Sequence, residues 1–288
     1  AVLGASPTVG SVGATVWRNL RTGGFAGPTF AVNPRHTQLP DGSPVFSRVS
    51  ALPLVPDLAV VCTPPATVPG LVAELGAMGT RAVVVLTAGL DAAAKQAMCS
   101  AARPHGLRIL GPNCVGLMTP RLGLNASFAH TQALPGELAF VSQSGALVTA
   151  MLDWAKSRRI GFSHLVSLGE HADVDFGDLL DHLANDNTTR AVLLYIESVT
   201  APRKFMSAAR AAARNKPVIV VKAGRAGQGM KAAASHTGAL AGEDRVIDAA
   251  IRRAGMLRVD TLQELFMAAQ TLARFRGNRS DALTVVTN

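Results

Sequence analysis

Residues 235–240 place one histidine, His236, among serine, threonine, glycine and alanine residues. An imidazole has an ordinary pKa of about 6.5, so its neutral ring nitrogen can act as a nucleophile at neutral pH. The small residues on either side would let the backbone approach an anion or move between two positions. The segment is therefore typical of a histidine that carries a phosphoryl group. A solvated or capping histidine is the alternative.

A second candidate lies where a strand-like run meets a predicted helix, at Ser142, Gln143, Ser144 and Gly145. The Ser144 hydroxyl and the first backbone N–H groups of such a helix form a site for an anion such as phosphate. Val141 stands where the pattern Gly-x-Ser-x-Gly needs its first glycine, and no convincing triad is found, so we do not predict a serine-hydrolase elbow. Simple capping of the helix is the alternative.

Glu197 directly follows the apolar run 193–196, so it is expected at the end of a buried strand. A carboxylate at that edge could hydrogen-bond one ring nitrogen of an imidazole, fix its tautomer and offset the positive charge left after attack. A surface acid in a turn is the alternative.

The amino-terminal part of the chain has the features of a nucleotide site. Ser6 follows the first strand-like run, and Gly10, Ser11, Val12 and Gly13 open the first predicted helix. Glycines and a helix N-terminus at a strand end are typical of a phosphate cradle. The loop is longer than the dinucleotide pattern Gly-x-Gly-x-x-Gly, and the acidic residue of an NAD site is missing.

Arg35 stands near the end of the second strand, where an NAD site would carry that acid. An arginine favours a phosphorylated ribose, which leaves NADP and coenzyme A as alternatives. Pro64, Thr87 and Asn113 follow later strand-like runs. Because open α/β sheets bind ligands at the carboxyl edge of their strands, we expect these residues to line the same site. Ordinary turns are the alternative.

The chain alternates short β-branched runs with alanine-rich helical stretches, which predicts an α/β fold with parallel sheets. The pattern forms two sets, and the glycine- and proline-bearing stretch 116–136 indicates the boundary. We expect a Rossmann-like domain at 1–122, a second doubly wound domain at 123–277 and the truncated start of a further domain at 278–288. Strands are predicted near 1–3, 29–32, 58–62, 82–86, 108–110, 138–141, 164–167, 191–196 and 218–221. Helices are predicted near 12–22, 67–78, 91–103, 145–157, 176–185, 203–214, 244–253 and 262–275. Because the first residue is not methionine and the last residues read as a strand, a fragment of a larger protein is expected.

Composition excludes several functional classes. No apolar run reaches the roughly 18 residues that span a bilayer, so a soluble protein without membrane contact is expected. The three cysteines include no Cys-x-x-Cys pair, which argues against zinc and disulfides and favours the cytoplasm. The net charge of +9 is dispersed and aromatic residues are 5%, which argues against nucleic-acid binding. Dispersed positive charge suits polyphosphate ligands or an acidic partner domain.

Two local patterns are rejected as sites. Residues 224–231 nearly form a P-loop, but Met230 stands where lysine is required. Residues 170–175 group possible metal ligands without a defined spacing, and Asp175 is predicted to cap the following helix. We therefore predict no metal site in this chain.

The motifs together resemble the CoA-binding and ligase domains of ADP-forming acyl-CoA synthetases, which are related to the succinyl-CoA synthetase α subunit. The resemblance covers nearly the whole chain and is most specific at residues 109–113, 141–147, 167–176 and 235–240. It implies that a flavodoxin-like domain follows the CoA-binding domain. It also implies an acid–thiol ligase that forms acyl-CoA, ADP and phosphate from an acid, CoA and ATP.

The resemblance assigns roles to the candidate residues. His236 would be the phosphohistidine, Glu197 the acid that steadies it, and Ser142, Gln143, Ser144 and Gly145 the phosphate site. CoA or acyl-CoA would be bound by Ser6, Gly10, Ser11, Val12, Gly13, Arg35, Pro64, Thr87 and Asn113. Thr149 stands where succinate-specific relatives carry tyrosine, so acetate or another small monocarboxylate is the expected acid.

The resemblance also implies partners. The family binds ATP or ADP with Mg through an ATP-grasp domain or subunit, for which this sequence shows no motif, and we expect an oligomer. The chain also resembles the front part of bacterial proteins fused to a GNAT domain. A regulatory acyl-CoA-binding module of a lysine acetyltransferase is therefore an alternative, and an NADP-binding oxidoreductase is a third.

Overall fold

The computed structural model describes residues 1–224, 244–275 and 285–287. His236 lies outside the described residues, as do most of the P-loop-like stretch and most of the predicted third segment at 278–288. Within the described ranges the chain forms two sheets with helices packed on them, so the predicted α/β fold is confirmed.

The first sheet is entirely parallel and has the strand order β3-β2-β1-β4-β5-β6. This order is that of a doubly wound dinucleotide-binding fold, in which the order reverses beside β1. Its strands are β1 (Val2–Leu3), β2 (Ala31–Val32), β3 (Val45–Phe46), β4 (Leu58–Val61), β5 (Ala82–Val85) and β6 (Arg108–Leu110). The helices of this part are α1 (Val12–Thr22), α2 (Val68–Met78) and α3 (Ala92–Ala102).

The second sheet has the order β13-β12-β11-β9-β10-β7-β8 and is parallel except at β7 and β8. Its strands are β7 (Gly116–Thr119), β8 (Leu124–Ser127), β9 (Leu134–Ser142), β10 (Gly161–Ser167), β11 (Ala191–Ile196), β12 (Val218–Lys222) and β13 (Leu257–Val259). The helices are α4 (Gly145–Ser157), α5 (Phe176–Asn185), α6 (Pro202–Asn215), α7 (Asp244–Ala254) and α8 (Leu262–Arg274). None of the helices described is long and apolar enough to cross a bilayer.

The β7–β8 hairpin shows where the chain leaves the first sheet and enters the second. β7 pairs with β10 and β8 pairs with β7, both antiparallel, so both strands belong to the second sheet. The boundary that we predicted between residues 122 and 123 therefore falls inside this hairpin. The chain passes from one sheet to the other between β6 and β7, at residues 111–115. Neither strand of the hairpin was predicted, because the stretch around them reads as a loop rich in glycine and proline.

The buried apolar side chains of the described ranges form three clusters. One packs α2 and α3 on the first sheet and includes Leu75 and Met98. Another packs α4 and α8 on the second sheet and includes Phe140 and Met151. The third continues from the first sheet and α1 to α5, α6 and α7 beside the second sheet. Because burial of apolar surface is the main stabilising contribution, this shared cluster holds the two domains together.

Gly13 allows the first turn of α1 to pack directly on the end of β1. A Cβ at this position would lie 2.0 Å from the carbonyl oxygen of Gly4. Since both groups belong to the backbone, no side-chain rotation can relieve the overlap. The glycine is therefore required for the close approach of helix and strand that brings the α1 N-terminus to the sheet edge.

Gly13→Ala is expected to lower the free energy of unfolding by about 1–3 kcal/mol, because the added methyl group displaces backbone. Urea unfolding of the full chain measures this change. Gly70→Ala is the matched control, because Gly70 is exposed in α2 with open space around the new Cβ. That control should stabilise the chain by about 0.5–1 kcal/mol. An unchanged urea midpoint for Gly13→Ala would contradict the packing argument.

Candidate active site

The loop between β1 and α1 is held by its own side chains. The Ser11 hydroxyl caps α1 by accepting the Ala14 N–H at 3.2 Å and donates to the Thr8 carbonyl at 2.8 Å. Ser6 Oγ accepts the Thr8 N–H at 3.1 Å, and Gly10 adopts a left-handed φ of +83°. The first N–H groups of a helix lack intrahelical acceptors, so this loop presents free donors at the sheet edge.

The other predicted strand-end residues of the first domain also lie at this edge. The Thr87 hydroxyl donates to the Thr63 carbonyl at 2.7 Å, and the Asn113 N–H donates to the Thr87 carbonyl at 3.0 Å. These bonds connect the ends of β4, β5 and β6. After β2, the Arg35 N–H donates to Asn33 Oδ1 at 2.9 Å, and the Arg35 side chain is exposed.

The second predicted site is the turn from β9 into α4. Ser144 caps α4, its hydroxyl accepting the Leu147 N–H at 3.4 Å. Ser142 is fully buried, and its hydroxyl accepts the Ser144 N–H at 3.1 Å and donates to the Ser144 carbonyl at 2.9 Å. Ser142 thus stabilises the turn from the buried side, whereas Ser144 and Gly145 line a cleft between the two domains.

Gln143 connects this turn to Glu197. Its Oε1 accepts the N–H groups of Glu197 at 2.5 Å and of Ser198 at 2.9 Å, and its Nε2 donates to Ser198 Oγ at 3.2 Å. Glu197 itself follows β11 and is only 8% exposed. The amide of Gln143 is therefore used in holding the Glu197 loop beside the α4 N-terminus.

A single cleft of about 1170 Å³ joins the two candidate sites. Of the residues predicted for the CoA site, Val12, Pro64, Thr87 and Asn113 line it. Of those predicted for phosphate transfer, Gln143, Ser144, Gly145 and Glu197 line it. The structure brings these two sets together. Ser6, Gly10, Ser11, Gly13 and Arg35 are not among the lining residues.

Some lining residues were not expected from the sequence. Lys95 on α3 forms an ion pair of 2.8 Å with Glu170 across the cleft, and Asn113 Nδ2 donates to Glu170 Oε1 at 3.2 Å. Phe128 and Ser198 also line the cleft without having been predicted, whereas Thr149 on α4, which the resemblance singled out, lines it as well. A lysine in an alanine-rich helix has no local pattern that marks it, so only the tertiary structure identifies Lys95.

His171 is a second histidine that lines the cleft. Its backbone φ of +39° lies in the left-handed region, which is uncommon for residues other than glycine. Burial lowers the pKa of His171, and the nearby charges of Glu170 and Glu197 oppose the shift only in part. Its imidazole is therefore neutral at pH 7. His171 is therefore a candidate proton acceptor, although from the sequence we expected residues 170–175 to have only a structural role.

Residues 170–174 connect the two domains through the backbone. The N–H groups of Glu170, Ala172 and Val174 donate to the carbonyls of Pro112, Gly111 and Ile109, each at 2.9–3.0 Å. The Asp173 carboxylate accepts two bonds from the Arg108 guanidinium, at 3.0 and 3.2 Å, and one from the Ile109 N–H at 2.8 Å. Asp173 therefore has a structural role, and Asp175 caps α5 as predicted. In the described parts of the chain, no cluster of three potential metal ligands occurs.

Asp173→Ala is expected to destabilise the chain by about 1–2 kcal/mol, because it removes three hydrogen bonds between the domains, two of them from a charged donor. Denaturant unfolding of the full chain measures the effect. Asp57→Ala is the control, because the Asp57–Arg81 pair is 3.9 Å long and both side chains are more than 80% exposed. That variant should stay within about 0.5 kcal/mol of the parent. Equal effects of the two substitutions would show that the interdomain bonds add nothing.

Fold and cleft together define a two-domain α/β protein that presents two helix N-termini to anionic ligands at facing sheet edges. The profile of a family described as a CoA binding domain matches residues 1–120, and that of the succinyl-CoA ligase like flavodoxin domain matches residues 135–272. The chain therefore combines a CoA-binding domain with a domain like the flavodoxin domain of succinyl-CoA ligase, and relatives of the whole chain are ADP-forming acyl-CoA ligases.

Individual relatives agree with this assignment. Acetate–CoA ligase (ADP-forming) I of Archaeoglobus fulgidus is 40% identical over 100% of this chain and 42% of its own length. The α subunit of acetate–CoA ligase (ADP-forming) I of Pyrococcus furiosus is 39% identical over 100% of this chain and 64% of its own length. The structure of the dinucleotide-forming acetyl-coenzyme A synthetase 1 of Ca. Korarchaeum cryptofilum, in complex with phosphate and ADP, superposes with a TM-score of 0.90. It is 34% identical and covers 94% of this chain and 60% of that one. The chain thus spans less than two thirds of each relative.

Proposed function

We propose that this chain is the CoA-binding and phosphohistidine portion of an ADP-forming acyl-CoA synthetase. The observation that carries the proposal is the single cleft, which places the ligand edge of the first sheet opposite Ser144, Gly145 and Glu197. An acyl group and a phosphate must meet in such an enzyme, and one connected cleft provides that meeting place. The named relatives are all ligases or synthetases, which supports the ligase over the acetyltransferase alternative.

The residues at the first sheet fit coenzyme A. The capped N-terminus of α1 offers backbone donors to a diphosphate, and the exposed Arg35 offers a guanidinium to a ribose phosphate. A volume of about 1170 Å³ suits a long ligand better than a compact one. When bound, CoA supplies the thiol that accepts the acyl group.

The cysteines of the cleft are unsuited to carry the acyl group themselves. Burial raises the pKa of Cys62 to about 12, and burial likewise raises the pKa of Cys114 to about 12. Thiolates rather than thiols are the nucleophiles, so both side chains are inert near neutral pH. Thioester formation is therefore left to the thiol of the substrate.

At the second sheet, the α4 N-terminus and the Ser144 cap would hold a phosphate in transit, as helix N-termini hold anions. Glu197, held by Gln143, would accept a hydrogen bond from one nitrogen of His236, so that the other nitrogen takes the phosphate. The negative charge of Glu197 would also offset the charge that the imidazole gains. These roles of Glu197 and His236 belong to the proposal.

The reaction would need a nucleotide-binding partner. The Pyrococcus relative is described as an α subunit, which supports a further subunit, and we propose an ATP-grasp domain or subunit that binds ATP or ADP with Mg. Thr149 and Phe128 line the cleft, and the named relatives act on acetate. We therefore propose acetate or another small monocarboxylate as the acid.

Calorimetry with CoA, 3′-dephospho-CoA and NADP tests the ligand. CoA is expected to bind and NADP is not. Arg35→Ala should weaken CoA binding about tenfold or more, because a charge-assisted hydrogen bond contributes roughly 1.5–3 kcal/mol, and should leave dephospho-CoA binding unchanged. Arg103→Ala, which changes an exposed arginine after α3, is the control. Tight binding of NADP without CoA would reject the proposal in favour of an oxidoreductase.

A further inference from the structure

A second concave site lies on the opposite edge of the second sheet. This pocket has a volume of about 340 Å³ and contains the amino ends of β9 and β10, whereas the cleft lies at their carboxyl ends. Its charged lining, called here the arginine pocket, consists of Arg121, Arg158, Arg159, Arg190, Arg274 and Glu137. Among the residues that the structure describes, five positive charges thus face one negative charge.

Glu137, the acid in the described lining of the arginine pocket, forms an ion pair with Arg190. Arg190 Nε donates to Glu137 Oε2 at 3.1 Å, and its remaining N–H groups donate to the Phe275 carbonyl at 2.9 Å and to the Leu272 carbonyl. Arg158 lies over the Trp154 ring at 4.8 Å and donates to Ser157 Oγ at 3.0 Å. Local structure therefore accounts for Arg190 and Arg158.

Arg121, Arg159 and Arg274 have no ion pair with any acid in the described part of the chain. Arg121 and Arg159 are exposed, and they reach the pocket from different segments, the turn between β7 and β8 and the connection from α4 to β10. Uncompensated like charges repel each other, and their convergence is relieved when an anion binds between them.

The backbone conformation of Arg159 supports a functional role for the arginine pocket. Arg159 follows α4 with a φ of +56°, a position where glycine is the common residue and other residues cost of order 1 kcal/mol. Only three non-glycine residues of the described ranges have a positive φ, and the other two, Asn113 and His171, line the cleft. Strained residues cluster at functional sites.

We propose that the arginine pocket binds a compact polyanion that carries two or more phosphate or carboxylate groups. Arginine suits such a ligand because its planar guanidinium donates pairs of hydrogen bonds to phosphate or carboxylate oxygens. The volume of about 340 Å³ admits a small molecule of this kind. The site is separate from the cleft and does not depend on the proposed function.

Arginine modification by phenylglyoxal, followed by mass spectrometry of the full chain, tests the site residue by residue. Saturating CoA is present throughout, so that binding in the cleft cannot mimic the result. Inorganic pyrophosphate and citrate are the two probes. At least one is expected to protect Arg121 and Arg159 several-fold, less so as salt is raised, and to leave the exposed Arg103 unprotected. Protection by pyrophosphate alone identifies a phosphate ligand, and protection by citrate alone identifies a carboxylate ligand.

The double variant Arg121→Gln/Arg159→Gly provides the matching affinity measurement. Glycine adopts the φ of residue 159 without steric strain, so the denaturant midpoint of this variant should equal or exceed that of the parent. The affinity for the protecting anion should fall tenfold or more, while Arg103→Gln retains the parent's affinity. Parent-like affinity of the double variant, or absence of protection by both probes, would overturn the proposal. An acidic peptide serves as a third probe in the same protection assay. Protection by this peptide alone would also overturn the proposal, since it would indicate a protein partner instead of a small anion.

Discussion

His236→Asn is expected to abolish incorporation of acid-labile phosphate into this chain, when the chain is incubated with the proposed ATP-grasp partner and labelled Mg-ATP. Asparagine has the polarity of histidine but no nucleophilic ring nitrogen, so no phosphoramidate bond can form. The measurement is the amount of label retained at alkaline pH and released in acid. Formation of acyl-CoA should disappear with the label, because in the proposed mechanism the phosphate reaches the acid only through this residue.

His105→Asn is the matched control for the histidine. His105 is exposed after α3, at the amino end of β6 and away from the carboxyl edge. It should take up label like the parent. Equal labelling of the parent and His236→Asn would refute the phosphohistidine, whereas the CoA calorimetry would still report on the first domain.

Glu197→Gln is expected to slow phosphate transfer by a factor on the order of 10²–10⁴, with little change in stability. The amide has the shape of the carboxylate, and the bond from the Glu197 N–H to Gln143 Oε1 uses the backbone, so the loop should persist. What is lost is the negative charge, which the proposal assigns to steadying the tautomer and the positive charge of the imidazole.

Single-turnover labelling with Mg-ATP and the partner measures this rate, and urea unfolding checks the fold. Glu74→Gln is the control, because Glu74 accepts the Ser50 N–H at 3.0 Å on the first domain and a glutamine oxygen can accept it equally. A transfer rate within twofold of the parent for Glu197→Gln would show that Glu197 is a structural acid only.

Local signals predicted the helices of this chain well. The bounds predicted for α1, α4 and α5 agree with those observed, and Ser11, Ser144 and Asp175 cap these helices. Capping and helical periodicity depend on residues within a few positions of each other, so they can be read from the sequence. The strands β3, β7, β8 and β13 were missed. They contain two to four residues each and lie at or near sheet edges, where apolar alternation is weak.

The sequence predicted the separate groups of residues that form the candidate site, but not the contacts between them. Residues at strand ends could be assigned to a ligand edge, because parallel strands bring their carboxyl ends to one side of a sheet. The sequence did not show that Ser142 lies behind the turn or that Gln143 holds the Glu197 loop. Those features depend on which neighbouring strand supplies the hydrogen-bond partner. Gln143 and Glu197 lie more than 50 residues apart in the chain, so no local pattern indicates their contact.

Short motifs in a given order were sufficient to predict the α/β class, the caps of α1, α4 and α5, the resemblance to ADP-forming acyl-CoA synthetases and His236 as the candidate phosphate carrier. The union of the two predicted sites in one cleft, in contrast, is visible only in the folded chain. The cleft exists because residues 170–174 hydrogen-bond to residues 109–112 and because a shared apolar cluster joins the domains. Contacts between segments so distant in the chain follow from sheet order and packing, and no local pattern encodes them.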